Sequence, residues 1–163
     1  MTRRLRRAAA AAAAGLLAAA LPAFTDTPAA AQQRTEWWRL DPRCDDWCRW
    51  RFEAIIAYER GDYLTTVWAS ALAYGRPEWA NWMWATIGCE TGGTLDPAAW
   101  SGYYVGWSQQ DPYYWPARAA AAGLPNGDMA YGPDSAMVMA SMLTEPGAWR
   151  HWPVCGANSW RPA

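Results

Sequence analysis

The stretch Pro77–Gln109, PEWANWMWATIGCETGGTLDPAAWSGYYVGWSQ, decides how this chain is read. Pro77 suits the first position of a helix, where a missing N–H costs nothing. Trp79, Trp82, Met83, Thr86, Ile87 and Glu90 follow at spacings of three and four, so one helical face carries all six. That face is apolar until its last member, a carboxylic acid. Gly92 and Gly93 end the helix, since glycine readily takes the left-handed conformation just past a C-terminus. Glu90 therefore falls in the last turn. Desolvation and the negative end of the helix dipole both disfavour its charged form, which pushes its pKa toward the range of a general acid. Taken alone, a glutamate in this position most simply reaches solvent. The residues around it argue otherwise.

Cys89-Glu90-Thr91-Gly92-Gly93, the Ser101-Gly102-Tyr103-Tyr104-Val105-Gly106-Trp107-Ser108-Gln109 hairpin segment and Ala148-Trp149-Arg150-His151-Trp152-Pro153-Val154-Cys155 occur in that order. Together they resemble the lysozyme-like superfamily, in particular the secreted lytic transglycosylases and the resuscitation-promoting-factor domains. There a helix ends in Cys-Glu-Ser-Gly-Gly, a Gly-Tyr-Tyr-Gly-Gly hairpin follows, and a Trp-x-x-Trp-Pro-x-Cys segment closes the domain. Thr91 replaces the family's serine and keeps its hydroxyl. The resemblance covers residues 77–157, about half the chain. It implies a mainly α, α+β lysozyme-like fold, with helices around a small hairpin and a substrate cleft, and Glu90 as catalytic acid. It also implies a Cys89–Cys155 disulfide, which in the chain-entropy model would contribute on the order of 4 kcal/mol. Cys44 and Cys48 then either pair with each other, stay as thiols or lie on irregular backbone. At i,i+4 on a regular helix their side chains run parallel, so a bond there needs distorted geometry.

The resemblance also places Gln109, three residues after Gly106, beside the sugar held next to the acid. Aligned strictly on Gly-Tyr-Tyr, the family's glutamine falls on Ser108 instead. Tyr103, Tyr104, Trp107, Tyr113 and Tyr114 cluster just after Glu90, and flat aromatic faces with polar tips suit a polysaccharide groove. Each of them is equally at home in a core. Glycosidases usually carry a second carboxylate. Asp96, Asp111 and Asp128 are the candidates; Asp96-Pro97 and Asp111-Pro112 read as turn aspartates, and Asp111 is the best placed as a partner for Glu90.

The 163 residues allow one domain and a leader. Arg3, Arg4, Arg6 and Arg7 precede the apolar run Ala8–Ala23, and Ala29-Ala30-Ala31 offers a cleavage site, so residues 1–31 read as a secretory signal peptide. The arginine pair leaves the choice of export pathway open. The run is short for a bilayer span, so no stable membrane insertion is expected after removal. That removal leaves 10 arginines against 14 acids, a charge of about −4, and no basic patch for nucleic acid. Four cysteines in an exported chain point to disulfides, and 14 tryptophans each bring a large apolar face with one N–H to satisfy. His151 is the lone histidine, so no metal site is expected at the cysteines, and no cofactor site is visible.

Residues 32–76 read as an N-terminal helical extension packed on a catalytic domain at 77–163. Residues 32–40 form a polar arm with Trp37 and Trp38. Asp41-Pro42 opens a helix with Trp47, Phe52, Ile55, Ile56 and Tyr58 inward until Gly61. Asp62 caps a second helix from Tyr63 to Tyr74 with Leu64, Val67, Trp68, Ala71 and Leu72 inward. Further on, Trp115-Pro116 starts a helix through Ala122. Asp134 caps a last one through Met137, Val138, Ser141, Met142 and Leu143. The favoured function is a secreted or cell-envelope, monomeric lytic transglycosylase cutting the MurNAc–GlcNAc β-1,4 bond of peptidoglycan glycan strands. The alternatives are a hydrolytic lysozyme using Asp111 and a non-catalytic glycan-binding module. A resuscitation regulator rests on analogy alone.

Overall fold

Asp45, not Asp41, opens the first helix. In the computed structural model, which describes residues 41–159 and residue 162, α1 spans Asp46–Glu59 and the Asp45 carboxylate accepts the Cys48 N–H at 2.8 Å. Asp41 is occupied elsewhere: Arg43 donates to it from its backbone N, Nε and Nη2. That fork draws the Asp41 carboxyl down to about 2. Cys44 lies just outside the helix and Cys48 in its first turn, so the two escape the parallel arrangement of a regular helix and are bonded. The signal-peptide and arm readings fall on residues 1–40, outside the described residues.

α2 spans Tyr63–Ala73, with Asp62 accepting the Thr65 N–H, as its sequence predicts. Its inner face differs from the expected one. Leu64 is 43 % exposed, whereas Thr66 and Ser70 are fully buried beside Val67 and Ala71. Their hydroxyls donate to carbonyls one turn back, Asp62 and Thr66, so the polar groups enter the core already satisfied. α1 likewise buries Ala54 and Ala57 rather than its larger residues, because small side chains let α1 and α2 approach closely.

A short 3-10 turn at Pro77–Trp79 leads into α3, Ala80–Glu90, which buries Trp82, Met83, Thr86 and Ile87. Gly92 and Gly93, at φ 61° and 81°, turn the chain away after Glu90, and the Gly93 N–H closes on the Gly88 carbonyl. Buried Thr91 shows what the hydroxyl at this position does. It donates to the Ile87 carbonyl and accepts the Leu95 N–H, joining the helix end to the loop. β1 (Trp100–Ser101) and β2 (Tyr104–Val105) then form a two-stranded antiparallel hairpin pairing Trp100 with Val105. α4 covers Trp115–Ala121, α5 Gly132–Met142 and α6 Cys155–Asn158, with a 3-10 turn at Ala148–His151.

α5 is the axis of the molecule: residues 132–140 are all buried, as a helix surrounded by others must be. Its N-cap position belongs to Tyr131, and Asp134 lies one turn in. Asp134 does not cap the helix. Its Oδ2 accepts the Asp128 N–H at 2.9 Å and fastens the preceding loop. One core cluster joins Val67, Ala71, Trp82, Met83, Ile87, Trp107, Met139 and Trp152, so α2 shares it with α3, α5 and the C-terminal turn. A second joins Trp115, Leu124, Met137 and Val138, with Trp47 of α1 packed on it. The molecule is mainly helical with one small hairpin. Among the described residues no helix is long and apolar enough to cross a membrane.

Candidate active site

Glu90 ends α3 half-buried, and burial raises its carboxyl above the usual glutamate range. Among the described residues no cation or hydrogen-bond donor touches that carboxyl. It lines a hollow of about 430 Å³. One wall is the hairpin side, with Ser101, Tyr104 and Gln109; the other is the turn from Arg150 to Val154. A second hollow of about 210 Å³ adjoins it, sharing Tyr104, Gln109, His151 and Trp152 and adding Gln110, Asp111, Tyr114 and Arg118.

The walls are held by bonds the sequence partly announces. Cys89, next to Glu90, is bonded to Cys155, next to Val154, so the acid and the opposite wall are tied at their roots. The buried tryptophans act as pegs for the loops. Trp152 Nε1 donates to the Ser108 carbonyl at 2.7 Å, Trp107 Nε1 to the Leu95 carbonyl at 2.8 Å and Trp82 Nε1 to the Gly156 carbonyl at 2.9 Å. Each indole N–H that would be costly to bury unpaired instead fastens a backbone segment: the loop after the hairpin, the loop after α3 and the start of α6. Gly106 has φ 85°, and its Cα faces the Met129 carbonyl so closely that any side chain would collide with it. That contact seats the loop after the hairpin against the loop that enters α5.

The expected site residues divide. Glu90, Tyr104 and Gln109 meet at the larger hollow, and Asp111 and Tyr114 line the smaller. Trp107 does not belong to either: it is 0 % exposed, packed edge-on against Tyr58 and Tyr63, and is a core residue. Tyr103 is exposed on the hairpin and lines neither hollow; its ring packs against Tyr104. Gln109 sits at φ 46°, unusual for a non-glycine residue. Its Nε2 donates to the Ala99 and Gly106 carbonyls at 3.0 and 2.8 Å, while its Oε1 is buried with no partner among the described residues. An orphaned acceptor on a strained residue is a combination that folds retain mainly where a ligand is handled. Ser108, the alternative position for the family's glutamine, is fully buried and bonded to Ser135.

Asp111 accepts the Tyr113 N–H at 2.8 Å, and Asp96 and Asp128 make the same kind of turn with the Ala98 and Ala130 N–H groups. All three are turn aspartates. Among the titratable residues of the hollows, three have no role that the sequence assigns: Arg150, His151 and Arg118. The first two lie inside the closing Trp-x-x-Trp-Pro-x-Cys segment, which flagged them by position. Arg118 carried only one signal, its i,i+4 spacing from Tyr114. Burial, and then the positive charge of Arg118, keep the His151 imidazole below its ordinary value, so it is neutral near pH 7.

No family model, no curated protein and no solved structure matches this chain. Among the described residues no group of histidine, cysteine and acidic side chains is arranged to hold a metal ion. The two disulfides are of the kind found in oxidising compartments.

Proposed function

We propose that this chain is a secreted peptidoglycan-cleaving enzyme of the lysozyme-like kind, a lytic transglycosylase, in which Glu90 serves as acid and then as base. The observation that carries the reading is the carboxyl itself. It is half-buried, raised by desolvation, free of ion pairs among the described residues, and faces a hollow lined by Tyr104 and Gln109. In this reading the two hollows form one glycan cleft. Protonated Glu90 gives its proton to the bridging oxygen of the MurNAc–GlcNAc bond as that bond breaks. The muramyl 6-hydroxyl then attacks C1 and returns its proton to Glu90, which closes a 1,6-anhydro ring and consumes no water.

A hydrolytic lysozyme would need a second carboxylate. Asp111 borders only the adjoining hollow and spends one oxygen on a turn N–H, which favours the single-acid route. Glu90→Gln should abolish release of soluble fragments from purified peptidoglycan, by at least about a thousandfold. Undiminished release would leave a glycan-binding module. Mass spectrometry of the wild-type products separates the two enzymes, since anhydro ends mark the transglycosylase and reducing ends the hydrolase. Activity should fall on the alkaline side as Glu90 loses its proton. Stability follows the same group. Because its folded pKa lies above the unfolded value, the protein is favoured at low pH and loses that advantage as pH rises through the folded pKa. Glu90→Gln should therefore melt later than wild type at neutral pH, with the gap closing in acid. A gap that persists unchanged in acid would reject a desolvated carboxyl.

A further inference from the structure

Arg118 borders the smaller hollow, and among the described residues nothing of opposite charge is in contact with it. Its guanidinium is half-buried and stacks over the Tyr114 ring, with Cζ 5.2 Å from the centroid. Its Nη1 donates to Gln110 Oε1 at 2.7 Å. Among the described residues no carboxylate comes within ion-pair distance; Asp111 acts on it only through its field.

What holds Arg118 in place is a chain of buried polar groups. Gln110 is 1 % exposed, and its Nε2 donates to Ser108 Oγ at 3.1 Å. Ser108 Oγ lies 2.9 Å from Ser135 Oγ, at the start of α5. Both serines are fully buried. A fold that runs a side-chain network from its central helix to one arginine fixes that arginine's geometry. Burying the network costs desolvation that a solvent-facing arginine would not require. With Nη1 on Gln110 and one face on Tyr114, the guanidinium edge still offers donors suited to a planar anion. Its neighbours are consistent. His151 shares the hollow as a neutral imidazole, and Arg150, on the larger hollow, is stacked on Trp149 with no acid in contact among the described residues.

We propose that Arg118 is an anion-recognition residue, holding a carboxylate carried on the 3-O-lactyl arm of a muramyl sugar in the smaller hollow; the proposal rests on the peptidoglycan reading above. GlcNAc has no such arm. The residue thus makes the cleft selective for muramyl glycans over chitin-like ones. The carboxylate has two sources, the free lactyl acid of a bare glycan or the acidic groups of an attached stem peptide.

The test measures binding by titration calorimetry to the full chain carrying Glu90→Gln, with and without Arg118→Gln. Four ligands are compared: a GlcNAc oligomer, a MurNAc–GlcNAc oligomer with free lactyl acids, its neutral lactyl-amide form, and one bearing stem peptides. Arg118→Gln is expected to weaken one or both acidic ligands about tenfold or more, the scale of a charge-assisted hydrogen bond. It should leave the GlcNAc oligomer and the amide within about twofold. Loss on the free acid alone identifies the lactyl group, and loss on the peptide form identifies the stem. In Glu90→Gln protein with Arg118 intact, the bound acid should also raise the His151 imidazole pKa followed by NMR, because it cancels the field of Arg118. Equal loss on all ligands, or none, overturns the proposal while leaving glycan cleavage standing. Failure of every glycan to bind overturns both readings. Should Arg118→Gln not fold, Arg118→Lys answers the question through the ratio of acid to amide affinity. That ratio should drop several-fold as the planar fork is lost, and an unchanged ratio overturns the proposal.

Discussion

Two groups of aromatic residues in this molecule look alike in sequence and differ in their polar tips. Trp82, Trp107, Trp115 and Trp152 are buried, and each indole N–H donates to a backbone carbonyl of a distant segment, three of them in loops and one in α6. Trp100, Tyr103, Tyr104, Tyr113 and Tyr114 stand exposed around the hairpin and the turn after it, from 49 % to 76 % accessible. Among the described residues their polar tips have no hydrogen-bond partner. The first group spends its hydrogen bonds on the protein and builds the walls. The second keeps its faces and tips for something else. An exposed aromatic is a candidate for ligand contact when its polar end is unspent, and Trp107, central in the sequence of the hairpin segment, fails that criterion.

The largest expected effect is on the wall-building group. Trp152→Ala should cost about 3–5 kcal/mol in denaturant unfolding, because it opens a cavity and releases the Ser108 carbonyl. A cost under about 1 kcal/mol would break the distinction between the two populations. The disulfides come next. Serine replacement of Cys89 and Cys155, which are 66 residues apart, should cost about 4 kcal/mol. The same change at Cys44 and Cys48, four apart, should cost about 2 kcal/mol, and calorimetric melting orders the two. Trp107→Phe trims the buried indole to a single ring, leaving a small void and an unpaired Leu95 carbonyl, so about 2 kcal/mol of stability should go. Smallest is Tyr104→Ala, within about 0.5 kcal/mol in stability as for most surface changes. It should nonetheless weaken glycan-oligomer binding several-fold, the scale of an aromatic stacking contact. A Tyr104→Ala protein that melts early but binds normally would reverse the assignment of that ring.

The α3 segment is largely legible in the sequence alone. Its three- and four-residue spacing marked Trp82, Met83, Thr86 and Ile87 as one face, and Gly92-Gly93 marked its end, because helical period and left-handed glycine are local properties. Asp62 as a cap was legible for the same reason. Asp41 and Asp134 show the limit. Both are the right residue type for a cap, yet Asp41 lies four residues before the true cap and Asp134 lies inside its helix; Arg43 takes the first and the Asp128 N–H takes the second. Leu64 shows another limit. Period assigns a residue to a face, but the packing of α1 and α5 sets how wide the buried face is, and here it takes in Thr66 and Ser70 instead.

By itself the sequence determined the acid at the end of an apolar helical stripe, the glycine stop after it, the hairpin and the supply of cysteines and tryptophans, since each of these depends on neighbours within a few residues. Tertiary structure alone decided which indoles became pegs and which aromatics stayed outside. It also brought Arg118, Arg150 and His151 to the hollows beside Glu90, from segments about 30 to 60 residues away along the chain. The physical reason is that hydrogen-bond satisfaction and burial are settled between distant segments. No local pattern encodes which partner a side chain will meet there.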